Sequence, residues 1–270
     1  MTSMNQLTGT DDPSNAKDLT SAEDLTSAEG AAGLDDHALA AWLAGRAGAH
    51  LIAIRSQGGQ EGDRQSNELL LDLLAAARPD DAVLSEESAD DLARLDRERA
   101  WVIDPLDGTR EYGEPPREDW AVHVALAVRG EPVVGAVALP AAGLVLHTGA
   151  PPTLAPRPPG PIRLAVSRTR PPACVDQLLG RLDAELVPMG SAGAKAMAVV
   201  RGEADVYAHS GGQYEWDSCA PVAVAAAAGL HVSRLDGAAL RYNQPNPYLP
   251  DLLICRPALA DRILDALRNL

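Results

Sequence analysis

Between Trp101 and Trp120 the chain reads WVIDPLDGTREYGEPPREDW. The short apolar run Trp101-Val102-Ile103 has the make-up of a strand that ends inside a sheet. Two aspartates follow at once, Asp104 and Asp107, separated by Pro105 and Leu106, and then come Gly108 and Thr109. Carboxylates gathered at the end of a buried strand lose water and repel one another, so few folds tolerate them without a cation between them. A hard divalent ion suits the place. Mg²⁺ takes oxygen ligands in near-octahedral geometry, commonly one or two carboxylates with water and phosphate oxygens completing the shell. Gly108 lets the backbone turn and approach an anion, and the N–H groups of Gly108 and Thr109, at a helix start, would face a phosphate. The stretch reads as a cradle for metal and phosphate, with an ordinary Asp- and Gly-rich turn as the plainer alternative.

The chain as a whole narrows the choice. Its 270 residues and 46% hydrophobic content allow a sizeable core, as one large domain or two packed halves. Phe is absent, so Leu, Ala and Val must fill that core. Net charge is −15, and residues 1–36 alone carry eight acidic side chains against one lysine. Nucleic acid and anionic membranes are disfavoured as partners, because both require phosphates to be neutralised by Lys and Arg. An anionic small molecule would need bound metal to enter. The three cysteines, Cys174, Cys219 and Cys255, are odd in number and far apart, which points to a reducing compartment and away from a disulfide framework or zinc. No apolar run approaches a membrane span, and the acidic N-terminus is unlike a signal peptide, so a soluble cytoplasmic protein is expected.

Residues 1–33 contain the tandem hexapeptide DLTSAE at 18–23 and 24–29 and read as an acidic, low-complexity tail. The first half, residues 34–150, opens with helical spacing from Leu34 to about Ser56 and a second helix from Asp63 to Ala77, joined by a Gly- and Gln-rich loop at 57–62. Ala82-Val83-Leu84 reads as a strand. Ala121–Val128, Val133–Leu139 and Leu144–Thr148 read as an antiparallel meander into which His123 and His147 pack. Residues 151–161 lie in a stretch with six prolines between 149 and 161, and connect the halves. The second half, 162–270, alternates: strand Ile162–Val166, helix Pro172–Leu182, strand Leu186–Pro188, helix Ala192–Arg201, strand Asp205–Ala208, helix Asp217–Ala228, a turn at Leu235–Gly237, strand Leu252–Cys255 and helix Pro257–Leu270. Such alternation implies an α/β arrangement, a sheet covered by helices.

Further residues carry chemistry outside the central stretch. Asp63 stands at the expected start of the second helix and serves there as an N-cap or as a site residue. Ser85-Glu86-Glu87-Ser88 places two acids at a strand end. Gly190-Ser191-Ala192-Gly193-Ala194-Lys195 lacks the G-K-[ST] ending of a nucleotide P-loop, but suits a glycine turn into a helix N-terminus with Lys195 one turn in. Ser167-Arg168-Thr169-Arg170 follows a strand and offers two guanidiniums and two hydroxyls, a seat for a phosphate. Asp217 opens an apolar helix as a cap or as a third site aspartate.

Val102–Thr109 resembles the D-P-[LI]-D-G-T motif of the inositol monophosphatase superfamily of Mg²⁺-dependent, lithium-sensitive phosphatases. Leu84–Ser88 upstream and Trp216–Pro221 downstream match two further motifs of that superfamily in the same order, over roughly residues 35 to 270. Within it the chain most resembles the CysQ-type 3′(2′),5′-bisphosphate nucleotidases. The resemblance implies a layered α/β sugar-phosphatase fold with alternating helix and sheet layers and the site between the halves. It implies two to three Mg²⁺ ions: one on Glu86, Asp104 and the Leu106 carbonyl, a second on Asp104, Asp107 and Asp217, and a weak third near Glu86, with Glu87 in support. It implies that Thr109, oriented by Asp63, activates water, although Gln60 stands where the relatives' T-x-x-D threonine would be. Gly108, Thr109, Arg168, Thr169, Arg170, Ser191, Lys195 and Asp217 would contact the substrate, with Arg170 replacing the histidine of an S-R-S-H run. Inositol phosphatases carry a Glu seven residues before this aspartate; Ser210 holds that position. The resemblance therefore implies removal of the 3′-phosphate of adenosine 3′,5′-bisphosphate, and of its sulfated analogue, as part of sulfate assimilation. Inositol monophosphate, fructose 1,6-bisphosphate, and a silent phosphate-binding protein stay open as alternatives. A homodimer is common among such relatives.

Overall fold

The computed structural model describes residue 31 and residues 33–268, so most of the expected acidic tail lies outside the described residues, as do the last two residues of the final expected helix. Helix α1 (Asp36–Ile54) starts at an Asp35 cap whose carboxylate accepts from the Ala38 N–H at 2.8 Å. After a 3₁₀ turn comes α2 (Gly59–Ala77), then β1 (Ala82–Ser85), β2 (Arg99–Asp107), the single turn α3 (Thr109–Tyr112) and the strands β3 (Ala121–Val128), β4 (Glu131–Leu139) and β5 (Leu144–His147). The rest runs β6 (Ile162–Ser167), α4 (Ala173–Arg181), β7 (Ala184–Met189), α5 (Ala192–Val200), β8 (Val206–Tyr214), α6 (Glu215–Ala227), β9 (His231–Ser233), β10 (Tyr248–Cys255) and α7 (Ala260–Leu267).

The strands form two five-stranded sheets, in the orders β1-β2-β3-β4-β5 and β7-β6-β8-β10-β9. In the first, β1 runs parallel to β2 and the rest is the expected antiparallel meander. In the second, β6 lies parallel to both β7 and β8, while β10 runs antiparallel to β8 and β9. Helices α1 and α2 cover one face of the first sheet, α5 and α6 fill the space between the sheets, and α4 and α7 cover the far face of the second. Three hydrophobic clusters fill these interfaces, built largely from Leu, Ala and Val as the lack of Phe requires. The proline-rich segment is pinned: Arg157 pairs with buried Asp205 at 3.2 Å, and the Ala155 carbonyl accepts from Arg256 at 2.8 Å.

Four elements differ from the sequence expectation. Residues 59–62 belong to α2 and not to a loop, so Asp63 sits one turn inside the helix and is not its N-cap. Gly59 and Gly62 are there for close approach: added Cβ atoms would lie 2.7 Å from Thr109 Cγ2 and 3.0 Å from the Tyr112 ring. β8 continues past Ala208 through Ser210-Gly211-Gly212 to Tyr214, because β10 pairs with it across a bulge at Leu249/Asp251. β9, three residues long, is too short for a periodic signal and exists by pairing with β10. The last helix begins at Ala260, after a 3₁₀ turn at Pro257–Leu259. No helix among the described residues is long and apolar enough to cross a membrane. All three cysteines are free and buried.

Candidate active site

Strand β2 delivers the central aspartates. Asp104 faces His123 of β3, yet Asp107 faces Ala121, so three steps along β2 match two along β3. The extra residue is a bulge at Pro105-Leu106, where Pro105 has no N–H to give to the ladder. Carboxylates three apart on a regular strand would point to opposite faces; the bulge turns both to one side. Ser66 of α2 fixes the arch by donating to the Pro105 carbonyl at 2.8 Å, and the Leu106 N–H donates to Asp104 Oδ1 at 3.1 Å. Gly108, at φ 87°, makes the left-handed turn into α3.

Asp217 reaches the same point from the first turn of α6. Its carboxylate also accepts from the Tyr214 N–H at 2.7 Å: Tyr214, not Asp217, is the N-cap, and Asp217 stands at the third helical position of a capping box, two residues after the helix start at Glu215. Ligand oxygens of Asp104, Asp107 and Asp217 lie within 4.8 Å of one another. Glu86 extends β1 beside β2, its N–H donating to the Ile103 carbonyl at 3.3 Å, and stands at the open edge of the cluster. Asp63 of α2 accepts from the Thr109 hydroxyl at 3.2 Å, and that hydroxyl lies equally close to the Leu106 carbonyl. The other Asp63 oxygen, Oδ1, is buried with no partner.

Electrostatics tests whether these groups suit a cation. Burial and then the charges of Glu86 and Asp107 push Asp104 well above the ordinary carboxylate range. Burial and the neighbouring Asp217 and Asp63 push Glu86 up to about 7. Burial and Glu87 push Asp63 up to about 7, and burial and Asp107 push Asp217 up to about 6. Five carboxylates thus crowd one place without enough positive charge, and an orphaned carboxylate oxygen is among them; this is the donor set of a hard cation. Asp107 differs. Burial would raise it too, but His123, Lys195 and the Gly193 N–H outweigh that and hold it below the usual range. Ala192 and Gly193, in the first turn of α5, donate to its two oxygens at 3.1 and 2.6 Å. The glycine turn therefore aims its helix N-terminus at Asp107.

A cavity of about 530 Å³ opens beside the cluster, lined among others by Asp107, Gly108, Glu111, Ser191, Lys195, Ser210 and Asp217. Ser167, Thr169 and Arg170 line it as well. Lys195 is almost fully buried, donates to the carbonyls of Gly190 and Ser191, and lies 5.4 Å from the Tyr207 ring centre; burial lowers its pKa. Arg168 is engaged elsewhere, with Glu111 at 2.6 Å and Glu114 at 2.7 Å.

Three participants escaped the sequence reading. His123 does pack within the meander, but its ring reaches Asp107 Oδ2 at 3.1 Å and the Trp216 carbonyl at 2.9 Å. Asp119 accepts from the Gly190 N–H at 2.5 Å and anchors the glycine turn, and Glu111 holds Arg168. Register alone would have exposed His123, which sits opposite Asp104 across the ladder. Nothing local marks Asp119 or Glu111.

Helix and sheet layers around a carboxylate cluster, with a Thr–Asp pair beside it, define a layered α/β phosphatase. The profile of the inositol monophosphatase family matches residues 59–151 and 162–270, and the chain belongs to that family. It is 55% identical over 222 residues to a 3′-phosphoadenosine 5′-phosphate phosphatase of Mycobacterium bovis, covering 78% of this chain and 82% of that one. A protein of the same name from Mycobacterium leprae is 49% identical over 265 residues, covering 88% and 95%. Among solved structures, Mycobacterium tuberculosis SuhB superposes with a TM-score of 0.68 at 26% identity, covering 86% of this chain and 95% of that one.

Proposed function

We propose that this protein is a Mg²⁺-dependent phosphomonoesterase that removes the 3′-phosphate of 3′-phosphoadenosine 5′-phosphate, in the cytoplasm and in the economy of sulfate assimilation. The observation that carries the reading is the meeting of three aspartates within 4.8 Å beside the Thr109–Asp63 contact at 3.2 Å. The 49–55% identity to phosphatases named for that substrate supplies the nucleotide. Two features of the cleft agree with it. Ser210, a neutral residue, lines the wall where inositol phosphatases are expected to carry a Glu. Gln213 offers a buried, unpartnered Oε1 at the same wall, a hydrogen-bond acceptor suited to an exocyclic amine.

Glu86, Asp104, the Leu106 carbonyl, Asp107 and Asp217 would hold two to three Mg²⁺ ions. When bound, such ions lower the pKa of a coordinated water and offset charge on the phosphate and the leaving oxygen. The chain supplies the rest. Asp63 Oδ2 takes the hydrogen bond of Thr109 Oγ, so this hydroxyl presents its lone pairs to an attacking water and can pass a proton to the carboxylate. Gly108 and Thr109 turn their backbone toward the scissile phosphate. Arg170 and Thr169, both exposed at the cleft, are available to a second phosphate, and Ser191 and Lys195 line the same cavity.

Phosphate release from adenosine 3′,5′-bisphosphate, inositol 1-phosphate and fructose 1,6-bisphosphate under matched conditions tests the substrate. Preference for the nucleotide is expected. Preference for a sugar phosphate would overturn the substrate and keep the metal site.

A further inference from the structure

The side chain of Glu111 lies wedged between the two glycine turns of the cleft. A Cβ added to Gly190 would sit 2.3 Å from Glu111 Cγ, and one added to Gly108 would sit 3.4 Å from Glu111 Oε2. Glu111 is 7% exposed and lines the cavity, so an acidic side chain stands beside the space an anionic substrate would enter. Its partner is Arg168, whose Nε donates to Oε1 at 2.6 Å. Nη2 of the same guanidinium donates to Glu114 at 2.7 Å, and Glu114 in turn accepts from Arg110 at 3.1 Å. The Arg168 backbone N–H donates to the Met189 carbonyl at 2.9 Å, tying the pair to the residue before Gly190. Binding a phosphate bidentately requires a free pair of adjacent N–H groups, and the Nε and Nη2 pair of Arg168 is taken by two carboxylates.

We propose that Arg168 serves the reaction through Glu111, as a positioning residue that fixes and neutralises this carboxylate between the glycine turns, and not as a phosphate ligand. The inference rests on the nucleotide phosphatase reading. Without Arg168, the Glu111 charge faces the cleft unpaired and repels the anionic substrate. With neither charge, the repulsion is gone and the two turns keep their packing.

The test measures kcat, KM and thermal unfolding with Mg²⁺ and adenosine 3′,5′-bisphosphate for wild type, Arg168→Gln, and the double variant Arg168→Gln/Glu111→Gln. Loss of the neutralising partner in Arg168→Gln is expected to raise KM about tenfold or more, and the double variant is expected to recover most of that loss. A double variant as weak as Arg168→Gln, or an unchanged KM in Arg168→Gln, would overturn the proposal. Should Arg168→Gln fail to fold, Arg168→Lys alone and with Glu111→Gln answers the same question: reversal of its KM increase supports the pairing, and additive losses overturn it. Absence of release by the wild type is seen before any substitution, and defeats the nucleotide reading and this inference together.

Discussion

His123 Nε2 lies 3.1 Å from Asp107 Oδ2, inside the first sheet, while the other ring nitrogen meets the Trp216 carbonyl one residue before Asp217. One buried ring thus touches the aspartate carried by β2 and the helix start that carries its counterpart. Groups that orient metal-ligating carboxylates typically change metal affinity or activity about 10–100-fold when removed. His123→Asn is therefore expected to raise the Mg²⁺ concentration for half-maximal activity within that range, as read from a metal titration of phosphate release. An unchanged titration would mean that His123 only fills space.

The Thr109–Asp63 contact carries proton handling in the proposed reaction. Thr109→Val and Asp63→Asn are each expected to lower kcat by about 100-fold or more with little change in KM. Because the two act as a unit, the double variant should lose scarcely more than either single one. Losses that multiply would separate their roles.

The crowding of carboxylates has a consequence for stability. In the metal-free protein Asp63 and Glu86 are pushed up to about 7 and Asp217 to about 6, so the folded state holds protons that the unfolded chain has released. Stability therefore falls as pH rises from the ordinary carboxylate range, about 4, to about 7, and mutual repulsion is felt in full above that. Mg²⁺ is expected to raise Tm more at pH 8 than at pH 5. Equal shifts at both pH values would contradict the convergence of these groups on a cation.

Asp205 anchors the second half away from the site. Its carboxylate is fully buried among Arg157, Arg163 and Arg256, at 3.2, 2.9 and 3.1 Å. Burial opposes its charge, but the Arg163 hydrogen bonds and the other guanidiniums outweigh this and hold its pKa below the ordinary range. Its contribution to stability is complete above about pH 4 and is lost as acid protonates it. Asp205→Ala should cost about 3 kcal/mol in denaturant unfolding, because it strands three cations, while kcat of the surviving folded protein stays near normal.

The sequence made the chemistry more legible than the geometry. Asp104 and Asp107 are marked by a local signal, a buried strand ending in acids, whereas Asp217 as a third site aspartate and Thr109 as the water-activating hydroxyl rest on the resemblance to the superfamily's motifs. What could not be read was how Asp104 and Asp107 come to one face, since the Pro105-Leu106 bulge appears only against β3. The sequence puts Asp63 at a helix start because Gly58, Gly59 and Gly62 look like a loop; Gly59 and Gly62 instead admit Thr109 and Tyr112 against α2, a tertiary reason. The arginines after β6 looked alike in sequence. Glu111, more than fifty residues away, separates them, leaving Arg170 at the cleft and Arg168 in an ion pair.

The most direct measurement is phosphate release from adenosine 3′,5′-bisphosphate by wild type and Asp107→Asn, each with and without Mg²⁺, alongside their unfolding curves. Mg²⁺-dependent release by the wild type, and loss of most turnover in a variant that still folds, are the expected results. Near-normal turnover by Asp107→Asn, or wild-type release that ignores Mg²⁺, would contradict it.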